Sequence, residues 1–181
     1  YDRFFSHNVI ALGRMVGIGK LQTADAVSYA VTGPAGRASS WSCDVRKHQP
    51  YALYDKVDFK EIIRSEGDSY ARYMNRLDEI EESLKIIEQL IDNIPEGDHC
   101  AKTKAIIKLP EGEYFQGVEA GKGLFGVYIE SRGDKTPYRM KFRSPSMALV
   151  SVMPLICKNE KISDFIGIGG SMDYVIPDID R

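Results

Sequence analysis

Apolar residues recur alternately four and three apart along one long stretch of the chain, at Tyr73, Leu77, Ile80, Leu84, Ile87, Ile91 and Ile94. That spacing places them on one stripe of an α-helix. Asp68 is a suitable N-cap, and Pro95 with Gly97 closes the element, so the pattern predicts a helix from 68 to 94. At a rise of about 1.5 Å per residue it is about 40 Å long. Glu81 and Lys85 offer an i,i+4 ion pair on another face. The apolar stripe is expected to pack lengthwise against other helices.

Beyond residue 110 the period changes from helical to alternating. Phe125, Val127 and Ile129 alternate with more polar neighbours, as do Tyr138, Met140 and Phe142, and a polar turn, SRGDKT, lies between the two runs. This predicts an antiparallel hairpin with one buried face, and GVEAGKG just before it is a candidate third strand. Ser144-Pro145 is an N-cap followed by proline at the first helical position, predicting a helix from Pro145 to about Leu155. A shorter helix is expected from Ile162 to Ile168, ended by Gly169-Gly170, and the remaining tail alternates apolar residues with aspartates as an extended strand would. Towards the N-terminus, Thr23 is expected to cap a helix over 24–30 that stops at Gly33-Pro34, and residues 37–54 are expected to be irregular, with short helical turns. The fold class is therefore α+β, mainly helical, with a long central helix and a small antiparallel hairpin or sheet.

The composition narrows the functional classes. A chain of 181 residues with 43% hydrophobic residues and a net charge of -2 reads as one domain with its own core, not as a disordered tail or an electrostatic binder of nucleic acid. Cys43, Cys100 and Cys157 are far apart in sequence and odd in number, as expected of free thiols; His7, His48 and His99 show no zinc spacing. No apolar run approaches the roughly 20 residues that span a bilayer. The chain begins at Tyr1 without methionine, and is taken as part of a longer protein.

Each candidate site has an ordinary structural explanation beside it. GVEAGKGLFG holds Lys122 between two glycines, but its spacing and the lack of a following Ser or Thr exclude a phosphate-binding P-loop. It is either a tight crossover between strands or a place where backbone approaches a ligand, with Lys122 projecting into it. Arg139, Lys141 and Arg143 form a short basic strand face, too small to indicate nucleic acid. Asp44, Arg46, Lys47 and Tyr51 fall in one loop, whose opposite charges are expected to satisfy one another and tie it down. Arg132-Gly133-Asp134 is a short tripeptide of normal turn residues, which makes an adhesion motif the poorer reading. The closing run GGSMDYVIPDIDR carries more charge than a fraying tail requires.

Several stretches together carry a family resemblance. AVTGPAGRASSWSCDVRKHQPYALYDKVDF, GDSYARYMNRLDEIEESLKII, GVEAGKGLFGVYIESRGDKTPYRMKFRSPS and ISDFIGIGGSMDYVIPDIDR resemble, in order, segments of the D subunit of NADH-quinone oxidoreductase, the 49-kDa subunit of respiratory complex I. Residues 1–181 would be roughly its C-terminal half. Ser40, Gly121 and Leu124 depart from the glycine, proline and glutamate usual there. That family is in turn similar to the large subunit of nickel-iron hydrogenases, so the resemblance implies a hydrogenase-large-subunit-like fold. Hydrogenases end on Asp-Pro-Cys-x-x-Cys-x-x-His; here Asp173 is retained, Val175 and Asp178 replace the cysteines, and Arg181 replaces the histidine. With no thiolate, a soft-metal site is lost. Lys122 falls where hydrogenases carry an arginine over the metal.

The resemblance implies a quinone-site subunit on the peripheral side of a membrane, cytoplasmic in bacteria or archaea and facing the matrix in mitochondria. It implies no metal or nucleotide of its own, quinone as substrate, and electrons tunnelling from the terminal [4Fe-4S] cluster of a partner iron-sulfur subunit. Other peripheral-arm subunits and a proton-translocating membrane arm complete the assembly. Asp173, Arg181 and Lys122 are the candidate catalytic residues, and Val175 and Asp178 the candidate chamber wall. The rivals are a related hydrogenase-type or ferredoxin-linked oxidoreductase, an active nickel-iron hydrogenase, and an adhesion domain.

Overall fold

The computed structural model describes residues 2–180. After one π-helical turn at Asp2–Ser6, four short helices follow: α1 (Val9–Met15), α2 (Thr23–Ser28), α3 (Gly33–Arg37) and α4 (Val45–His48). The long helix α5 is Ser69–Ile91. Strands β1 (Gly112–Ala120), β2 (Gly123–Ser131) and β3 (Arg139–Arg143) form an antiparallel meander in sequence order, and α6 (Pro145–Ser151), α7 (Met153–Ile156), α8 (Ile162–Met172) and α9 (Ile176–Ile179) complete the chain. The α+β class stands, and GVEA supplies the last residues of the expected third strand.

The hydrophobic core gathers the short helices. Leu21, Ala26, Val31 and Ala35 meet Leu149, Val152, Met153, Ile156, Ile168 and Met172, with Trp41 and Tyr174 packed at the margin. Helix α5 lies against this core mainly through α8, and the extended segment 57–66 runs back along it. The Asp58 and Lys60 amides donate to Gln89 and Glu82, at 2.8 Å each, and Arg64 pairs with Asp78.

The apolar stripe of α5 is not its buried face. Ile80, Leu84, Ile87 and Ile91 are all more than half exposed, whereas Ala71, Arg72, Asn75, Glu82 and Ile86 are buried. Segment 57–66 and helix α8 cover the neighbouring face, so tertiary contacts override the hydrophobic period. The expected Glu81–Lys85 pair is replaced by Lys85–Glu82 at 2.5 Å. Asp68 caps α5 as expected, accepting from the Ala71 amide at 2.7 Å, and the helix stops three residues before Ile94.

Other boundaries move for identifiable reasons. Thr23 lies inside α2, not at its cap, because its hydroxyl donates to the Ser39 carbonyl at 2.7 Å; α2 ends at Ser28, and Gly33-Pro34 opens α3 instead of ending a helix. The helix expected over 145–155 breaks at Val152 into α6 and α7, with Pro154 in the first turn of the second. Gly169-Gly170 does not end α8, which runs on to Met172, and the tail forms the short helix α9, not a strand. The hairpin's apolar face is only half covered: Phe125, Val127 and Ile129 are partly buried, while Tyr138, Met140 and Phe142 are exposed. Ser40, at the position where glycine is usual, has φ 65°, a left-handed conformation that glycine adopts without the Cβ penalty.

Candidate functional site

The turn joining β1 to β2 carries Lys122, and the backbone below it has no room for side chains. A Cβ on Gly33 would lie 2.5 Å from the Gly123 Cα, and one on Gly123 would lie 2.7 Å from the Thr32 hydroxyl. Both glycines have positive φ. The start of α3 is thus seated directly beneath the turn, and the Thr32 hydroxyl accepts from the Leu124 amide at 3.0 Å. This backbone clamp aims Lys122 at the end of α8.

Asp173 stands at that end. It is the C-cap of α8 with φ 57° and ψ 39°, where glycine is the easier residue, and its amide donates to the Gly169 carbonyl at 3.2 Å. The left-handed turn brings its carboxylate to 2.7 Å from the Lys122 Nζ and 3.9 Å from the Arg76 Nε. Side-chain exposure is 30% for Lys122 and 45% for Asp173. An ion pair this open adds less than about 1 kcal/mol to stability. Its significance is positional: it fixes two charged groups at the mouth of a cleft.

That cleft, about 300 Å³, is lined by Ala120, Gly121, Lys122, Phe125, Pro145, Asp173 and Asp178. Of the residues expected at the site, Lys122, Asp173 and Asp178 meet there. Asp178 is held by a hydrogen bond from the Ser144 hydroxyl, which also accepts from the Ser146 amide at 3.1 Å to cap α6. Val175 is not among the lining residues. It is 37% exposed, and its amide donates to Ser146 Oγ at 3.2 Å. Arg181 lies outside the described residues.

Sequence reasoning missed the charged groups behind the cleft. Arg72, Asn75, Arg76 and Glu79 recur at i, i+3, i+4 and i+7 on α5, the same spacing that marks an apolar face. That polar stripe beside the apolar one was the available signal. Arg72 is fully buried, and its hydrogen bonds go to neutral acceptors, the carbonyls of Gly67 and Gly19 and the hydroxyls of Ser69 and Ser171, at 2.8–3.0 Å. Burial, with the Arg76 charge adding to it, pulls its pKa down to about 9, so it stays cationic at neutral pH. Arg76 is also lowered by burial, against the opposing pull of Asp173. Arg76 donates to the Arg72 carbonyl at 3.0 Å and to the Met172 carbonyl at 3.4 Å.

A second charge cluster braces the sheet against α5. Buried Arg37 donates to Glu79 at 2.8 Å and Glu119 at 2.6 Å, and Glu79 also accepts from Asn75 at 2.6 Å. Burial opposes the Arg37 charge, but the two carboxylates outweigh it and raise its pKa. Burial pushes Glu119 up, with Arg37 pulling it only partly back. Asp44 and Arg46 pair bidentately as expected, at 2.7–3.2 Å. Cys43, Cys100 and Cys157 are free. Burial pushes the Cys43 thiol up to about 12, which makes it a poor nucleophile.

Two cations converge on one carboxylate beside a half-open apolar sheet, with a third cation buried behind them, at a charged cleft in an α+β chain. The chain belongs to the family of the 49-kDa subunit of respiratory-chain NADH dehydrogenase, whose sequence profile it matches over residues 1–181. It is 60% identical over 181 residues to the C/D subunit of NADH-quinone oxidoreductase from Phocaeicola vulgatus, covering 100% of this chain and 35% of that one. To the D subunit from Desulfotalea psychrophila it is 43% identical over 182 residues, covering 100% and 49%; to the D subunit from Bacillus cereus it is 42% identical, covering 99% and 50%. The chain spans between a third and a half of the length of these relatives. Among the described residues, no helix is long and apolar enough to cross a membrane.

Proposed function

We propose that this chain forms part of the wall of a quinone chamber in an NADH-quinone oxidoreductase, next to a partner subunit that carries the terminal [4Fe-4S] cluster. The observation that carries this reading is the convergence of Lys122 and Arg76 on Asp173 beside the apolar side chain of Phe125, in a member of this family. A quinone needs an apolar surface for its ring and tail. It also needs positive charge where electron density builds on its oxygens during reduction. Phe125 and the half-open sheet face supply the first; the Lys122 ammonium, with Arg76 and Arg72 behind it, supplies the second. Asp173 bridges the two nearer cations and partly neutralises them until the ligand arrives. Asp178 completes the wall, and Val175 and Arg181 remain candidates for it where the neighbouring subunit packs over the tail. A nickel-iron-hydrogenase-like ancestry fits this arrangement: the two positions that hold cysteines in hydrogenases are Val175 and Asp178, so the thiolates for a soft metal are gone and Asp178 lines the cleft instead.

Lys122→Ala and Asp173→Asn in the intact complex test the reading. Each is expected to lower quinone reduction at least about tenfold, the scale of losing one preorganised electrostatic contact, while the cluster is still reduced by NADH. Quinone reduction within a factor of about two of wild type in both variants would overturn it.

A further inference from the structure

Asp173 lies between two clefts. On one side is the cleft with Lys122 and Phe125. On the other is a larger one, about 530 Å³, lined by Phe5, Met15, Tyr73, Arg76, Gly167, Gly170, Ser171 and Asp173. The carboxylate occupies the Lys122 side, at 2.7 Å. On the other side the Arg76 Nε is buried and has no hydrogen-bond acceptor among the described residues, although the other two guanidinium nitrogens are engaged with carbonyls. The same Asp173 oxygen stands 3.9 Å from that nitrogen. A movement of about 1 Å, within reach of a side-chain rotation, closes this to hydrogen-bond distance.

We propose that Arg76 is a positioning residue that acts through Asp173, giving its carboxylate a second, prepared seat. With the carboxylate on Lys122, the ammonium is occupied and Arg76 Nε is unsatisfied. With the carboxylate on Arg76, the orphaned donor is satisfied and the ammonium is free to meet a ligand oxygen. Each arrangement leaves one cation without its carboxylate, and a ligand oxygen that takes up the ammonium shifts the carboxylate towards Arg76. Arg76 is suited to the role because its guanidinium is anchored at both ends: the Nη atoms hold backbone carbonyls of α5 and of the end of α8, which keeps the vacant Nε 3.9 Å from the Asp173 carboxylate. This exchange rests on the quinone-chamber reading of the site.

Two measurements in the assembled complex test it. In the first, Arg76→Gln is combined with Lys122→Ala. Arg76→Gln alone is expected to lower kcat for quinone reduction about fivefold with KM within about twofold, because Asp173 then stays on Lys122. In the Lys122→Ala background the same substitution is expected to change kcat by less than about 1.5-fold, since coupled residues are not additive. Arg76→Lys is expected to recover at least half of the activity. An equal effect of Arg76→Gln in both backgrounds would assign Arg76 a merely structural role and overturn the exchange. In the second, which keeps Arg76 intact and does not depend on whether its variants assemble, the structure of the Lys122→Ala complex is determined. The Asp173 carboxylate is expected within about 3 Å of Arg76 Nε. A carboxylate that stays where it is, or an Nε already occupied by another group of the complex, overturns the proposal. If Lys122→Ala and Asp173→Asn left quinone reduction unchanged, the chamber reading itself would fail; if they lowered it while the cycle was additive, the chamber would stand and only the exchange would fall.

Discussion

Helix α5 carries two stripes with the same helical spacing and opposite fates. Tyr73, Leu77, Ile80, Leu84, Ile87 and Ile91 are apolar, and the last four are mostly exposed; Arg72, Asn75, Glu79 and Glu82 are polar, and three of them are buried. Burial on the polar stripe is compensated group by group: Glu82 by the Lys60 amide, Glu79 by Arg37 and Asn75, Arg72 by two carbonyls and two hydroxyls. The apolar stripe, by contrast, is left open over most of its length by the described residues. A hydrophobic period thus marks a helical face without fixing whether that face is buried within the described residues. The polar face is the one that reaches Asp173 and the candidate site.

The largest break in this contrast is expected at Arg37, which ties the polar stripe to the sheet. Arg37→Met keeps the bulk and removes the charge, leaving Glu79 and Glu119 facing one another without their shared cation. Loss of one partner from a buried ion cluster costs about 4 kcal/mol. Denaturant unfolding of the full-length subunit should therefore show a markedly lower midpoint, with a conservative Arg37→Lys in between. An unchanged midpoint would mean that the polar stripe is incidental to stability.

Much of the fold was legible in the sequence because local chemistry and final structure agree there. Asp68 caps α5, Ser144-Pro145 opens α6, and the alternation of Phe125, Val127 and Ile129 marks a strand. The failures share a cause in tertiary contact. Gly169-Gly170 reads as a stop, yet α8 continues through both glycines because its left-handed cap is taken by Asp173, beyond the expected end. Thr23 reads as a cap, yet its hydroxyl is drawn to Ser39. Lys122, Asp173 and Asp178, which line the candidate cleft, were legible through family resemblance. Arg76 was not, because a charged residue on an amphipathic helix is read by default as solvated, and only the neighbouring Arg72, Asn75 and Glu79 reveal a polar face meant for burial.

Adjacent residues on the two sides of α5 give a sharper and smaller test. Ile86 is 8% exposed and Ile87 is 54% exposed. Truncation of a buried isoleucine to alanine costs about 2–3 kcal/mol through lost burial and the cavity left behind. The same change at an exposed site stays within about 0.5 kcal/mol. Measured on residues 1–181 alone, Ile86→Ala should destabilise and Ile87→Ala should not. Measured on the full-length subunit, a rise in the cost of Ile87→Ala would show that the apolar stripe is covered there; equal costs at both positions in the short chain would erase the distinction between the faces.

The smallest expected effect lies at the outer end of the charge network, where Asp44 caps α4 and grips Arg46. Burial alone would raise the Asp44 pKa, but the hydrogen bonds and charge of Arg46, with Arg37 contributing, outweigh it and hold the carboxyl below its ordinary value. A carboxyl whose folded pKa is depressed binds its proton less readily in the folded chain than in the unfolded one, so its contribution is present above the unfolded value of about 3.9 and is lost as pH falls through the folded value. Asp44→Asn removes the titration while retaining one oxygen for the Arg46 amide, and should cost about 1 kcal/mol at neutral pH. Below about pH 4 the curves of variant and parent should converge, because the parent then loses what the variant never had. Stability profiles that stay parallel from about pH 7 to about pH 3 would show that the Asp44 charge contributes nothing, and that its role is confined to the hydrogen bond that caps α4.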